Sequence, residues 1–275
     1  MPTSRRPSIG VFDSGFGGLT VLKALLELIP DADYIYFGDT ARLPYGSKSA
    51  ETVAKYAVGA SHYLEKHGAQ LLVIACNTAT ALALPEITRA SNLPVVGVVE
   101  PGAEQASRSS QNRRVVVIGT EATVSSHAYH KALTALRVEA KEKACPLLVP
   151  LVEEGWIDHA VTEQVARIYL AEAFADGFES ADVLLLGCTH YPLLRPLLSR
   201  TAPEHVTIVD SAESTAQVVK DLLHRSPPQA ASGDERRHSP RLRFFVTDSV
   251  DKFRRLGVHF LGTPIEDVLH VDLKE

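Results

Sequence analysis

Two of the three cysteines in this 275-residue chain stand in matching sequence contexts. Cys76 lies in the segment ACNTAT and Cys188 in GCTHYP, and each follows a short apolar run and precedes a helical pattern. A single free cysteine at a strand end is usually an inert apolar residue. Two cysteines in equivalent places instead favour thiol chemistry, whereas Cys145 has no comparable context and is predicted to be structural.

Both thiols need a neighbouring acid–base group if they are to ionise near neutral pH. A free cysteine with a pKa near 8.5 is only about 3% thiolate at pH 7, and half ionisation requires about 2 kcal/mol of stabilisation. A helix N-terminus typically supplies about 0.3–1 kcal/mol, so the helix dipole alone is marginal. Asp13 is the candidate partner of Cys76, and His190 is the candidate partner of Cys188.

Three further motifs are candidates for the wall of a binding cleft, and each also has a plain structural interpretation. The segment DSGFGG at 13–18 suits a small carboxylate, because glycines and free N–H groups at a helix start attract anions. Its spacing matches neither G-x-G-x-x-G nor a P-loop, so a simple strand–helix turn is the alternative. In ARLPYGSKS, Tyr45 and Gly46 could form part of the cleft wall, and the alternative is a turn that only starts a helix. In PLVEEG, one of Glu153 and Glu154 could be a buried acid in the cleft. The alternative is that both glutamates only interact with the dipole of a helix start.

Two other uses of the thiols are weighed against acid–base catalysis. A zinc site built from Cys76, Cys188 and His190 would need a fourth ligand and usually a C-x-x-C or H-x-x-x-H pairing, and neither spacing occurs. A hydrolase of the Cys-His-Asn type would leave the second cysteine without a role. The matching contexts are therefore better explained by two cysteines with related functions.

The elements that must position these residues are short apolar runs separated by helical patterns. Most runs are continuous rather than alternating, which is typical of strands buried on both faces of a parallel sheet. One helical pattern covers Ser47–Gly68, with Ser47 or Ser49 as the N-cap and Gly68 as the stop. The predicted strands are 9–14, 34–39, 71–77, 95–100, 115–120, 183–189, 206–211 and 244–249, and a further alternating stretch is VHFLG at 258–262.

The predicted strands repeat at a domain-sized period. The runs at 9–14 and 115–120, those at 71–77 and 183–189, and those at 95–100 and 206–211 form three similar pairs, each separated by about 110 residues. We therefore predict an α/β fold of two similar lobes, each a mostly parallel sheet flanked by helices. Because ligand sites in open α/β sheets lie beyond the carboxyl ends of strands, the active site is expected in the cleft between the lobes.

Composition restricts the class of protein. The net charge of −5 gives no support for nucleic-acid binding, and three cysteines are too few for a disulfide scaffold. No apolar stretch reaches the roughly 18–20 residues of a membrane span. Ser4-Arg5-Arg6 faintly matches a twin-arginine signal, but Asp13 interrupts the apolar stretch behind it. We expect a cytoplasmic protein with a loose start and an exposed loop at Ser226–Pro240.

Five motifs together resemble the glutamate racemases, which are cofactor-independent enzymes of the aspartate/glutamate racemase family. The motifs are GVFDSGFGGLTV, RLPYGSKS, ACNTATA, PLVEEG and GCTHYPLL, and they appear in the family's order between about residues 9 and 211. Related aspartate racemases resemble the ACNT part but tend to carry Glu after the second Cys-Thr, where this chain has His190. The closest alternatives are a racemase of another acid, such as aspartate, and a catalytically silent amino-acid-binding module.

The resemblance implies interconversion of L- and D-glutamate by two bases, with D-glutamate feeding peptidoglycan synthesis. It assigns proton transfer to Cys76 and Cys188, and auxiliary acid–base roles to Asp13, His190 and Glu153. Glu153 is preferred to Glu154 from the family pattern alone. Substrate binding is assigned by the same resemblance to Asp13, Ser14, Tyr45, Gly46, Asn77, Thr78, Thr120, Thr189 and His190.

The same resemblance implies no cofactor and no metal, and a small-molecule partner rather than a nucleic acid or a membrane. A homodimer is possible, but nothing in the sequence sets the oligomeric state. We expect lobe one to comprise residues 1–98 plus 210–275 and to carry Cys76, and lobe two to comprise residues 99–209 and to carry Cys188. Some family members bind a cell-wall precursor through a longer N-terminal extension, and the eight residues before the first strand put that regulation in doubt.

Overall fold

The computed structural model describes residues 6–225 and 240–273. Two features predicted from the sequence therefore lie largely outside the described residues. They are the loose first residues, of which 1–5 are not described, and the exposed loop at 226–240, of which only residue 240 is described.

The first sheet has six parallel strands in the order β10-β9-β2-β1-β3-β4. Its central strand, β1, is buried along almost its whole length, as the continuous apolar pattern predicts. The strands are β1 (Ser8–Asp13), β2 (Asp33–Gly38), β3 (Leu71–Ile74), β4 (Val95–Gly97), β9 (Leu242–Val246) and β10 (Val268–His270).

The second sheet has four parallel strands in the order β6-β5-β7-β8. Its two central strands, β5 and β7, consist almost entirely of buried residues, and both end in glycine. The strands are β5 (Arg114–Gly119), β6 (Glu139–Ala144), β7 (Val183–Gly187) and β8 (Thr207–Asp210).

The two sheets repeat one topology, which confirms the predicted fold class. The order β2-β1-β3-β4 in the first sheet corresponds to β6-β5-β7-β8 in the second. The three pairs of similar runs found in the sequence are β1 with β5, β3 with β7, and β4 with β8, so each pair occupies equivalent positions. The exact lobe boundaries, 1–98 plus 210–275 and 99–209, stay a prediction.

Helices cover both sheets, and their ends follow local sequence rules. The predicted helix beginning near Ser49 is α2, in which the Ser49 hydroxyl accepts a hydrogen bond from the Thr52 N–H at 3.3 Å. Gly68 follows its end with a φ of 95°, a conformation that favours glycine. The helices are α1 (Leu19–Leu28), α2 (Ala50–Lys66), α3 (Asn77–Ala90), α4 (Val99–Ser109), α5 (Glu121–Ser126), α6 (Ala128–Ala135), α7 (Leu148–Glu153), α8 (Ala160–Ala173), α9 (Arg195–Thr201), α10 (Ala212–Arg225) and α11 (Val250–Leu261).

Two parts of the structure differ from the prediction. Strand β6 has the sequence EAKEKA, which gives no apolar signal because it is an edge strand whose charged side chains reach solvent. The alternating stretch VHFLG at 258–262 comprises the last four residues of α11 and its C-cap Gly262. The buried Phe253, Leu256 and Phe260 of α11 recur at helical spacing. The last strand is β10 instead.

The two sheets share an apolar core. One cluster of buried side chains includes Ile9 and Val11 of β1 together with Leu184 and Leu186 of β7. Helix α10 also packs against α1 beside the first sheet and against α4. Within the described ranges, no helix is long and apolar enough to cross a membrane.

Candidate active site

A cavity of about 350 Å³ lies where the carboxyl ends of the two sheets meet. Every residue that the sequence assigned to catalysis or substrate binding lines this cavity, except Asp13, which is fully buried behind the wall. From the first sheet come Ser14, Tyr45, Gly46, Cys76, Asn77 and Thr78, and from the second come Thr120, Glu153, Cys188, Thr189 and His190.

Cys76 is held by the start of a helix. It follows β3 and is the N-cap of α3, and its sulfur accepts a hydrogen bond from the Ala79 N–H at 3.4 Å. The thiol donates to the Ser14 hydroxyl at 3.5 Å. Burial, reinforced by the charge of Asp13, raises the pKa of Cys76 to about 12. The surroundings of Cys76 therefore favour the protonated thiol.

Asp13 ends β1 and is completely buried. One of its oxygens, Oδ2, accepts a hydrogen bond from the Gly15 N–H at 2.8 Å. Burial raises the pKa of Asp13, and the nearby positive charge of His190 and the N–H groups of the glycine turn offset this only in part. The glycine-rich turn therefore wraps the carboxyl group of Asp13 rather than presenting an empty anion site.

Cys188 lies in a very different setting, next to a charged imidazole. Its sulfur is 4.0 Å from His190 Nδ1, and His190 Nε2 is 3.4 Å from Glu153 Oε1. Burial would lower the pKa of His190, but hydrogen bonding and charge from Cys188 and Glu153 outweigh it and raise that pKa to about 10. An imidazolium at this distance stabilises negative charge on the Cys188 sulfur.

Glu153 is the glutamate of its pair that faces the cavity, whereas Glu154 is exposed. Burial raises the pKa of Glu153, but hydrogen bonds and positive charge from His190 and Lys252 lower it overall. Lys252 Nζ lies 3.1 Å from Glu153 Oε2. A line of alternating charge therefore runs from Lys252 to the thiol of Cys188.

Hydroxyl and amide groups supply the hydrogen bonds of the cavity wall. Thr78 of α3 bonds to both Thr120 and Thr123, at 2.9 and 3.1 Å, and those two bond to each other at 2.9 Å. Asn77 Oδ1 accepts from the Tyr129 hydroxyl at 2.5 Å. Its Nδ2 is buried and has no partner among the residues described, so it is a free donor for a ligand.

Tyr45 and Gly46 line the cavity and belong to the 3₁₀ turn Tyr45–Ser47. The Tyr45 hydroxyl donates to Asp39 Oδ2 at 2.5 Å, so the phenol end is already engaged. At Gly46, an added Cβ would come within 2.7 Å of Thr120 Cβ in the opposite lobe. Gly46 therefore marks a point where the lobes touch and a side chain does not fit.

Several residues of the site were missed by sequence reasoning. Thr123, Tyr129 and Lys252 lie behind the wall, in helical segments that carry no catalytic motif. Seven further wall residues were not named from the sequence: Leu43, Pro44, Ser47 and Pro150 lie within the candidate motifs ARLPYGSKS and PLVEEG, and Glu121, Pro146 and Val149 lie outside the candidate cleft motifs. Cys145 is buried outside the cavity wall.

No group of three or more His, Cys, Asp or Glu side chains within residues 6–225 and 240–273 is placed to hold a metal ion. The polar groups around the two thiols are instead hydroxyls, an amide, backbone N–H groups and the charged series ending at Lys252. This donor set suits an organic anion bound by hydrogen bonds.

Comparison with known proteins places the chain among racemases. The family model described as Asp/Glu/Hydantoin racemase matches residues 9–219. The glutamate racemase of Koribacter versatilis is 59% identical over 98% of both chains. A glutamate racemase from Francisella tularensis in complex with D-glutamate has a TM-score of 0.88 at 35% identity, and one from Thermus thermophilus in complex with β-chloro-D-alanine has 0.85 at 43%; each comparison covers 98% of both chains.

Proposed function

The chain belongs to the Asp/Glu/hydantoin racemase family and is an amino-acid racemase, and from this we propose that it interconverts L- and D-glutamate with Cys76 and Cys188 as the two acid–base groups. The relatives at 42–59% identity over at least 94% of this chain are named glutamate racemases. We further propose that the D-glutamate produced supplies peptidoglycan synthesis.

The observation that carries this proposal is the pair of thiols in one cavity. Cys76 follows β3 and Cys188 follows β7, which are equivalent strands of two sheets with the same topology. Inversion at a carbon requires a proton acceptor on one face and a proton donor on the other. Two similar lobes that meet at their carboxyl ends supply one thiol each.

The charges around the two thiols differ, and we propose a starting state with a thiolate at Cys188 and a thiol at Cys76. His190, protonated at neutral pH, stabilises a thiolate at Cys188, while burial and Asp13 keep the proton on Cys76. In this state the Cys188 sulfur removes the α-proton, and the C–H electron pair stays on the α-carbon. The Cys76 thiol then gives its proton to the opposite face of that carbon, and the product has the inverted configuration.

Each turnover exchanges the protonation states of the two thiols. Cys76 is left as the thiolate and Cys188 as the thiol, which is the state required for the reverse reaction. Another turnover in the same direction needs the starting state restored by proton exchange. Asp13 and His190 are the groups proposed to support this exchange, since each interacts electrostatically with one thiol and with the other acid–base group.

The wall of the cavity is suited to a small dicarboxylate. The amide Nδ2 of Asn77 is a donor without a partner among the described residues, and Asn77 lies in the first turn of α3. The hydroxyls of Thr78 and Thr120 add donors from both lobes. A volume of about 350 Å³ is at the small end of ligand pockets and fits an amino acid better than a nucleotide.

The first test is deuterium exchange in D₂O with L-glutamate and L-aspartate as separate substrates and with metal ions chelated. We expect deuterium at the α-carbon and loss of optical activity with glutamate only. Exchange with aspartate instead would indicate a different acid as substrate. No exchange with either would contradict the proposed activity, and loss of activity caused by chelation alone would indicate a metal-dependent reaction.

Cysteine variants extend the same test to the mechanism. C76S and C188S are each expected to abolish racemisation, and each is expected to retain at most α-proton exchange of one enantiomer, a different one for each variant. C145S is the matched control, because Cys145 is buried outside the cavity and should leave racemisation unchanged. Racemisation by C188S at the wild-type rate would refute the two-thiol mechanism.

A further inference from the structure

Helix α11 places one charged side chain against the catalytic centre from the opposite lobe. Lys252 lies on α11, which follows β9 of the first sheet, and Glu153 ends α7 beside the second sheet. Their ion pair of 3.1 Å therefore joins the two halves of the molecule. Lys252 is not part of the cavity wall, so it has no direct contact with a ligand there.

The position of Lys252 is fixed from its other side by aromatic packing. Its Nζ lies 5.4 Å from the centre of the Phe16 ring, within the range of a cation–π contact. Phe16 is fully buried and packs on Phe253, the next residue along α11, with ring centres 5.9 Å apart. The ammonium group is thus held between an aromatic face and a carboxylate.

The two carboxylate oxygens of Glu153 face two different cations. Oε2 pairs with Lys252, and Oε1 is 3.4 Å from His190 Nε2. The second distance is longer than a good hydrogen bond, and buried Nε2 has no other partner among the described residues. The side chain of Glu153 is 17% exposed, so its carboxylate has access to solvent if nothing holds it in place.

We propose that Lys252 is a positioning residue for racemisation, which holds the Glu153 carboxylate against His190 and so keeps the imidazolium oriented toward Cys188. This role rests on the proposed function. This role also makes the groups around Cys188, in the second lobe, depend on helix α11 of the first lobe, which carries Cys76. Lys252 would act only through Glu153, because it contacts neither Cys188 nor His190.

Steady-state kinetics of K252M test this role. Methionine keeps the length of the side chain over Phe16 and removes only the charge. We expect kcat to fall about tenfold, which is less than the hundredfold that a displacement of about 1 Å can cost. The KM for glutamate should change by less than about twofold, since Lys252 lies outside the cavity wall. K252R should recover most of the wild-type kcat, because a guanidinium also pairs with a carboxylate.

A double-mutant cycle with E153Q separates positioning from a general effect on the fold. If Lys252 acts through Glu153, K252M causes no further loss of kcat in the E153Q background. R255M is the matched control, because it removes the same charge from an exposed position of the same helix. We expect R255M to match the wild type. Thermal unfolding of K252M should stay close to wild type, since the Lys252 side chain is 41% exposed and ion pairs with solvent access contribute little stability.

Three results would overturn the positioning role. They are a kcat of K252M within twofold of wild type, an undiminished K252M effect in the E153Q background, and an equal loss of kcat in R255M. Each variant is compared with the wild-type protein in the same assay. A wild-type protein that does not racemise glutamate would refute the proposed function itself, whereas an active wild type with an unaffected K252M would refute only the role of Lys252.

Discussion

At the scale of single residues, the two thiols have opposite electrostatic surroundings. Cys76 is buried near Asp13, which disfavours its thiolate, whereas Cys188 is next to an imidazolium. The difference depends on His190, whose pKa is raised to about 10 by its neighbours. Asp13, Cys188 and Glu153 are the titratable groups that face this histidine.

We predict that His190 makes stability fall as the pH rises above neutrality. Its pKa is about 6.5 in the unfolded chain and about 10 in the folded protein, so the folded state binds the proton more tightly. The stabilisation is fully present below about pH 6.5 and is lost as the pH passes through about 10. Urea unfolding of the wild type and of His190→Asn at pH 6, 8 and 10 measures the contribution of His190 to the free energy of unfolding.

The free energies of unfolding of the two proteins should converge as the pH rises. The comparison subtracts the titration of all groups that the two proteins share, including Cys76, whose raised pKa acts in the same alkaline direction. A difference between the proteins that stays constant from pH 6 to 10 would show that His190 is not held charged by its neighbours.

At the scale of helices and strands, every acid–base group of the site sits at the end of an element. Asp13 ends β1, Cys76 caps α3 after β3, and Cys188 directly follows β7. Strand ends carry a pattern that can be read in a sequence, because a buried apolar run stops abruptly at a polar residue. The fold class and the two central strands of each sheet were therefore predictable.

Other parts of the site depend on contacts between distant segments and leave no local pattern. Lys252 and Thr123 have ordinary helical contexts, and their importance follows only from the side chains they meet across the molecule. The sequence likewise gives no signal for strand β6, because an edge strand can carry charged residues on its exposed side. The alternation in VHFLG is typical of a strand, but five residues cannot distinguish a strand from a helix end.

Gly46→Ala is predicted to weaken substrate binding. Gly46 lies in the 3₁₀ turn Tyr45–Ser47, and the new Cβ would meet Thr120 beside α5 at 2.7 Å, which forces these wall segments apart. We expect the KM for glutamate to rise roughly tenfold. We also expect the free energy of unfolding to fall by about 1–3 kcal/mol, as in other overpacked sites.

Gly59→Ala is the control for this substitution. Gly59 lies in the middle of α2, and an added Cβ has no heavy atom within 4 Å. Alanine should raise the free energy of unfolding by about 0.5–1 kcal/mol and leave KM unchanged. An unchanged KM in Gly46→Ala as well would show that the contact between the 3₁₀ turn and Thr120 does not shape the cavity.

At the scale of the whole molecule, the two sheets are joined by a common apolar core and by the contacts around the cavity. Buried residues of β1 and β7 belong to one cluster, and the threonine hydroxyls of α3 and α5 bond across the cleft. The buried residues of the two sheets thus form a continuous core. The molecule is therefore expected to unfold as one unit, although its topology is duplicated.

Calorimetry tests this expectation. We predict a single thermal transition whose calorimetric and van't Hoff enthalpies agree. Glutamate at 100 times its dissociation constant should stabilise the whole protein by about 2.7 kcal/mol and move the entire transition. Two transitions, of which glutamate moves only one, would show that the sheets unfold separately.

The strand order of the first sheet has a consequence for the protein during its synthesis. Strand β2 pairs with β9, which lies more than 200 residues later in the chain, so one edge of the early sheet stays open until Leu242–Val246 leave the ribosome. Helix α11, with Lys252 and with Phe260 against His190, emerges later still. A nascent chain therefore carries both thiols before it can complete the site around Cys188, and full activity is expected only after Val250–Leu261 have emerged.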